Sequence, residues 1–318
     1  MYSQVNDDSR AAQEPVVPSD TVPALMNEFA TAMEQERGLS TSTIERTRSA
    51  AEHFLVWCEQ QHVGMSELRI CHVDDYLALK GRQGWARSSV RTQAQWLRCF
   101  LRYAESRGWS GKGIADAIMT PRIYQQESLP AGPTWEQVQS LIASAGGERV
   151  SAIRDRAILM LLSVYGLRSG DVSRLRLEDL DWDKEKLEVT HPKQRRARQY
   201  PLIHSVGEAI LDYLQKVRPR CEKREVFLTL RRPFRPLTQV ALWHVVGVRL
   251  RKLGFTAPHV GPHCLRHACA AHLLAEGFSL KEIADQLGHR ALNVTRTYAK
   301  VDVTSLRSVA DFDLGGLR

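Results

Sequence analysis

Apolar residues recur at three- and four-residue spacings along most of the chain, and only one stretch alternates with period two. Leu25, Met26, Phe29 and Met33 give the first helical stripe, running from Val22 until Gly38 closes it. A second helix is expected from a capping box of Ser42 with Glu45, carrying Ile44, Ala51, Phe54, Leu55 and Trp57. A third covers Val73 to Leu79. In a fourth, from Ser88 to Arg107, the residues Val90, Ala94, Leu97, Leu101 and Ala104 form an apolar stripe. Beside that stripe Arg87, Arg91, Arg98 and Arg102 fall within about 60° of one another, so one face packs and its neighbour is a row of guanidinium groups. These four helices make a small bundle. Residues 1–20 are polar, contain Pro15 and Pro18 and show no periodicity, which predicts a flexible tail.

The glycines and prolines of Gly111, Gly113, Pro121, Pro130 and Gly132 predict an interdomain linker, placed at 113–132 between a domain at 21–112 and another at 133–318. The second domain opens at Thr134, whose capping-box partner is Gln137, and its helix carries Trp135, Val138, Leu141 and Ile142. A long buried helix is expected from Ala152 to Tyr165, stopped by Gly166. The period then changes: Leu187 and Val189 alternate with polar residues, and Tyr200, Leu202 and Ile203 mark a second strand. Between them THPKQRRARQ reads as a hairpin with a basic turn. Helices return over Val206 to Val217 and Leu237 to Leu253, with Arg231, Arg232 and Arg235 clustered before the second. The expected fold is mainly α, with a small β-hairpin in the second of two domains. At the C-terminus, Leu306, Val309, Phe312 and Leu314 form an apolar set too short to fold alone, so residues 301–318 need a host.

The chemistry concentrates between Gly261 and Tyr298. Gly261-Pro262 predicts a helix start, because a proline at the first helical position gives up an amide that would have no partner. His263 and Arg266 then share one face of the first turn, where unpaired amides and the positive end of the helix dipole favour an anion. A second capping box, Ser279 with Glu282, precedes Ile283, Ala284 and Leu287. Gly288 stands where that helix ends in the left-handed conformation, so His289 leaves a helix C-terminus. Asn293 or Thr295 caps a further short helix that carries Tyr298.

The same region holds His263, Cys264, His267, Cys269 and His272, all metal-ligand types. At about 100° per residue, however, the first three point to one side of the helix and the last two to the other, so they cannot close a tetrahedron. The six cysteines lack framework spacing and the N-terminus lacks a basic-then-apolar signal, which predicts a chain of a reducing, intracellular compartment. The longest apolar run, Ala157 to Leu167, is too short to span a bilayer and implies no membrane role. A formal charge of +8 favours a polyanionic partner.

The pattern His263-x-x-Arg266, then Gly288-His289, then Tyr298 nine residues on resembles the C-terminal signature of the tyrosine recombinases, the phage integrase family that includes the Xer enzymes. Gly166-Leu167-Arg168 with Asp171 is similar to the family's other arginine motif, GLRxxEL. There Asp171 replaces the usual glutamate, so the side chain supporting the arginine is one methylene shorter. Lys193 lies eight residues before Pro201, the spacing of the family's hairpin lysine, although the usual turn glycines are absent and Arg195, Arg196 and Arg198 are alternatives for phosphate contact.

The resemblance implies a two-domain tyrosine recombinase architecture: a SAM-like helical core-binding domain, then a catalytic domain. It implies catalysis by Arg168, Lys193, His263, Arg266, His289 and Tyr298 through a 3′-phosphotyrosyl intermediate, with no metal, no cofactor and no ATP. Phosphate contacts are expected from Arg87, Arg91, Arg98, Arg102, Arg195 and Arg196. The implied partners are double-stranded DNA recombination sites and further copies of the chain. These form a homotetramer on two sites through exchange of the 301–318 tail, with room for a partner recombinase or an accessory DNA-bending protein. The implied setting is bacterial, cytoplasmic and nucleoid-associated, on a mobile genetic element. Two other readings are a type IB topoisomerase and a non-catalytic DNA-binding accessory protein.

Overall fold

The computed structural model describes residues 22–122, 132–190, 197–257 and 260–288. The chain divides into two compact units, Met1–Glu127 and Ser128–Arg318. The expected N-terminal tail and the apolar 301–318 segment lie outside the described residues.

In the first unit the apolar stripes form helices α1 (Val22–Gln35), α2 (Thr41–Gln60), α3 (Ile70–Arg82) and α4 (Arg87–Ser106), followed by the single turn α5 (Ile114–Ala117). Their core is aromatic. Phe29 of α1 meets Phe100 and Tyr103 of α4 edge-on, with ring centroids 5.4 Å apart in each pair. Gln93 is buried on α4 and is satisfied by donating from Nε2 to the Ala50 carbonyl at 3.2 Å, which ties α4 to α2.

Two expectations are corrected here. The start of α2 lies two residues earlier than the predicted box: Ser40 has the extended φ/ψ of a cap (−66°, 143°), and Ser42 sits inside the first turn. The expected linker also begins too early. Trp109, Ile114, Ala115 and Ile118 are buried in the first unit's core, so the chain through Ile118 belongs to that packing despite its flanking glycines.

The second unit begins with α6 (Trp135–Ala143), capped reciprocally by Thr134 and Gln137 as the sequence predicts. Helix α7 (Val150–Val164) is apolar nearly all round, and Ala157, Ile158, Leu159, Leu161 and Leu162 are fully buried, as befits a central helix. Its one buried carboxylate, Asp155, is paired at 2.7 Å with both Arg154 and Arg249. After α8 (Ser169–Arg174) comes a three-stranded antiparallel sheet in the order β1 (Leu180–Asp181), β2 (Lys186–Val189) and β3 (Arg198–Pro201). The predicted hairpin pairs Leu187 with Tyr200 and Val189 with Arg198. β1 was not expected, because two residues carry no period. The remaining elements are α9 (His204–Lys216), α10 (Gln239–Lys252), α11 (Pro262–Ala275) and α12 (Leu280–Leu287).

Tyr165 joins the end of α7 to the end of β3. Its hydroxyl donates to the Pro201 carbonyl at 2.7 Å and accepts from the Ile203 amide at 3.0 Å. Gly166 follows at φ 59°, and a Cβ there would collide with Leu287 of α12, so both conformation and space require glycine. Gly166→Ala is therefore expected to lose about 1–3 kcal/mol of stability. Denaturant unfolding of the full chain followed by tryptophan fluorescence measures this, and a wild-type midpoint would rule the constraint out.

Candidate active site

Helix α11 starts where the sequence predicts. Gly261 is extended, Pro262 occupies the first helical position, and the Gly261 carbonyl accepts from the Cys264 amide at 3.0 Å. The Trp243 indole of α10 lies against Gly261 in the space a Cβ would take, which brings α10 up to the helix start. Arg266, one turn in, is only 3% exposed. A buried guanidinium needs acceptors, and helix C-termini have carbonyls without intrahelical partners. Arg266 supplies donors to two of them: Nη1 donates to the Gly166 carbonyl after α7 at 2.6 Å, and Nη2 to the Leu287 carbonyl at the end of α12.

Arg168, the residue before α8, reaches the same place. Its Nη2 donates to the Gly288 carbonyl at 3.0 Å, across 120 positions of sequence. The two arginines of the sequence motifs thus converge on the Leu287–Gly288 turn, whose glycine is left-handed (φ 71°, ψ 47°) as expected. The Ser279–Glu282 capping box that starts α12 is also formed. Asp171 does not support Arg168 in the way its motif position implies. Its buried carboxylate pairs with Arg174 at 3.1 Å, and a main-chain carbonyl holds Arg168 instead. A carbonyl orients the guanidinium without neutralising it, which leaves the site positive.

His263 is exposed and shares the first turn of α11 with Arg266. Desolvation by the protein atoms crowding its ring, then the charges of Arg266 and Arg168, hold its pKa below the ordinary histidine value. One turn on, His267 meets it edge to face, with ring centroids 4.3 Å apart. Desolvation and the neighbouring His263 and Arg266 push the His267 pKa down to about 4. Both rings are neutral near pH 7.

Two other metal-ligand types of α11 are held by neighbours. Cys269 is buried with its thiol aimed at the Val164 carbonyl, and burial raises its pKa to about 12. His272 is stacked on Trp135 with centroids 3.9 Å apart. Among the described residues no three metal-ligand side chains are grouped.

Lys193, Arg195, Arg196, His289 and Tyr298 lie outside the described residues. On α4 the expected arginine row is divided. Arg98 donates to the Ala115 and Ile118 carbonyls at 3.2 and 2.5 Å, and Arg102 pairs with Asp116 at 2.8 Å, so both tie α4 to the α5 segment. Arg87 and Arg91 are exposed at the start of the helix. The amphipathic stripe identified the face but not which of its arginines the next turn of chain would claim. From sequence Arg198 is only one of three alternatives for phosphate contact, and the alternation of β3 places it on the same side as the buried Tyr200.

Residues 134–304 match the model of the phage integrase family. A putative integrase/recombinase of Sinorhizobium fredii, y4rF, is 32% identical over 90% of this chain and 68% of its own length. The tyrosine recombinase XerD of Listeria innocua is 26% identical over 90% of this chain and 96% of its own. Among solved structures, XerH site-specific recombinase bound to a palindromic difH substrate superposes with a TM-score of 0.69 at 17% identity, covering 90% of this chain and 84% of that one. A lambda integrase fragment bound to a core site gives 0.66 at 15% identity, over 87% and 94%. The fold, the paired arginine motifs and these matches agree: the chain belongs to the phage integrase family of tyrosine recombinases.

Proposed function

We propose that this protein is a site-specific DNA recombinase that cuts and rejoins DNA through Tyr298. The observation that carries the reading is the convergence of Arg168 and Arg266 on one turn, with His263 on the face of α11 that holds Arg266 and with His289 next in the chain. Each guanidinium is a planar fork that can take two phosphate oxygens, and in a water-poor site such donors stabilise the charge of a pentacoordinate phosphorus. Removing one donor of this kind typically costs about 100- to 1000-fold in rate.

The Tyr298 oxygen attacks the scissile phosphorus, the bond to the 5′-oxygen breaks, and a 3′-phosphotyrosyl linkage forms. A phenol with a pKa of about 10 needs its proton removed, and the neutral imidazole of His263 is a suitable acceptor. Lys193 protonates the departing 5′-oxygen, and His289 hydrogen-bonds the phosphate. Attack by the 5′-hydroxyl of a second duplex reverses the chemistry and completes strand exchange, with the bond energy stored in the phosphotyrosine. The first unit, with Arg87 and Arg91 exposed on α4, is read as the core-binding domain that grips the duplex through phosphates. An accessory protein would not need the full set of catalytic residue types, and the family matches favour recombinases over a nicking-closing enzyme.

Assembly as a homotetramer on two sites, in a bacterial cytoplasm, is the finer part of this reading; no helix among the described residues is long and apolar enough to cross a membrane. The second unit has an apolar groove of about 440 Å³ between α6, α11, α12 and β3, lined by Trp135, Tyr165, Ile203, Leu273, Phe278 and Ile283. Phe278 and Ile203 remain 47% and 44% exposed. The apolar set Leu306, Val309, Phe312 and Leu314 of a neighbouring copy fits such a groove, and head-to-tail contacts of this kind close into rings.

Tyr298→Phe is expected to bind DNA and form no covalent adduct on nicked suicide duplexes taken from DNA flanking the gene, without divalent metal. A wild-type adduct yield would remove Tyr298 as nucleophile. Because the His263 pKa is depressed and the base must be neutral, the single-turnover rate of adduct formation should hold level as pH falls through about 6.5 and decline only below it. A midpoint above that value would exclude His263 as base. Truncation after Lys300 should reduce the number of protomers on paired sites in analytical ultracentrifugation, and Phe278→Glu should do the same. Unchanged stoichiometry in both would reject the groove as acceptor.

A further inference from the structure

Arg198 stands at an inward position of a strand, where an arginine is costly unless something holds it. It is opposite Val189, which is buried, and two residues before Tyr200, which is 5% exposed, so residues 198 and 200 share the face of β3 turned toward the end of α12. Tyr200 donates its hydroxyl to the Gln286 carbonyl at 2.9 Å. Burial raises the Tyr200 phenol's pKa and the nearby Arg198 opposes that rise, while the Arg198 guanidinium occupies the space beside Gly288 that any Cβ would need. Three guanidinium groups therefore surround one turn: Arg168 on the Gly288 carbonyl, Arg266 on the Leu287 carbonyl, and Arg198 against the Gly288 backbone.

The Val189–Arg198 pair is also the last rung of the hairpin. The residues between them, 190–197, include Lys193. One side chain thus stands both at the mouth of the hairpin and against the turn that holds the two site arginines. We infer that Arg198 is a positioning residue that couples the hairpin carrying Lys193 to the Leu287–Gly288 turn, so that the lysine and both arginines meet the same phosphate. This rests on the recombinase reading and on Lys193 as the proton donor to the leaving 5′-oxygen. The planar guanidinium matters because it sits beside both Tyr200 and the glycine, which an ammonium on a flexible stem reproduces only in part.

The test uses the full chain and two synthetic suicide duplexes carrying the cleavage position mapped by adduct formation. One has the natural 5′-oxygen, and the other has a 5′-bridging sulfur whose thiolate departs without a proton. On the oxygen duplex, Arg198→Ala should lose about tenfold or more in the rate of adduct formation, with its DNA Kd unchanged. Arg198→Lys should lose less. On the sulfur duplex both variants should return to near the wild-type rate, as should Lys193→Ala. A rate loss that persists on the sulfur duplex, while Lys193→Ala is rescued, would show that Arg198 acts on the phosphate itself and overturn the coupling. A parallel loss of rate and DNA affinity, or no loss of rate, would also overturn it. If Arg198→Ala does not fold, as judged by its melting transition, Arg198→Lys carries the same comparison. Failure of the sulfur duplex to rescue Lys193→Ala would instead refute the proton-donor reading, leaving the coupling to be judged by the rate loss at unchanged Kd.

Discussion

The buried guanidinium of Arg266 is the contact on which the site depends. It bridges three helices: it stands on α11 and donates to carbonyls at the ends of α7 and α12. Those carbonyls have no partner within their own helices, and they lie at the negative ends of two helix dipoles, so cation and acceptors satisfy one another. A carboxylate in the same place would hold the arginine equally well and cancel its charge. The carbonyls leave a positive pocket, which suits a phosphate that gains charge as it is attacked.

Arg168 obeys the same logic at Gly288, and the fate of Asp171 shows why it matters. The carboxylate one turn beyond Arg168 is drawn away by Arg174. The shorter side chain thus changes who supports the arginine without removing support. The glycines follow from this arrangement. Gly166 and Gly288 are left-handed because each helix must stop abruptly for its last carbonyls to face inward, and each has a neighbour, Leu287 or Arg198, where a side chain would be.

What could be read from the sequence was whatever is local. The Thr134–Gln137 and Ser279–Glu282 boxes, the Gly261-Pro262 start and the left-handed Gly288 are all short-range chemistry, and each is formed. Ser42 failed as a cap because four hydroxyl residues run from Ser40 to Ser42 and Thr43 to offer rival starts, and backbone geometry rather than residue type chose Ser40. The α5 turn was hidden among glycines, since Ile114 and Ile118 reveal their burial only once α4 is beside them. Arg98 and Arg102 illustrate the same limit: a helical wheel shows that four arginines share a face, but the partners of two come from residues 115–118, which no periodicity on α4 encodes. Arg168 and Arg266 were legible only as motifs. That each is held by a carbonyl more than 20 or 100 residues away belongs to the folded chain alone.

In the proposed function the site therefore divides its labour between a fixed part and a part that moves protons. Arg168 and Arg266 are locked to helix ends and supply a field that need not reorganise during reaction, the kind of contribution that dominates when charge develops in a dry pocket. In the proposed reading His263, Lys193 and Tyr298 must instead change protonation state, and the same field acts on them. Desolvation first, and then that field, hold His263 neutral, so that in the proposed reading it can accept a proton, and the field lowers the cost of ionising a phenol brought beside it. In that reading a cluster of arginines held by carbonyls does two jobs at once, binding the anion and helping to set the acid-base chemistry around it.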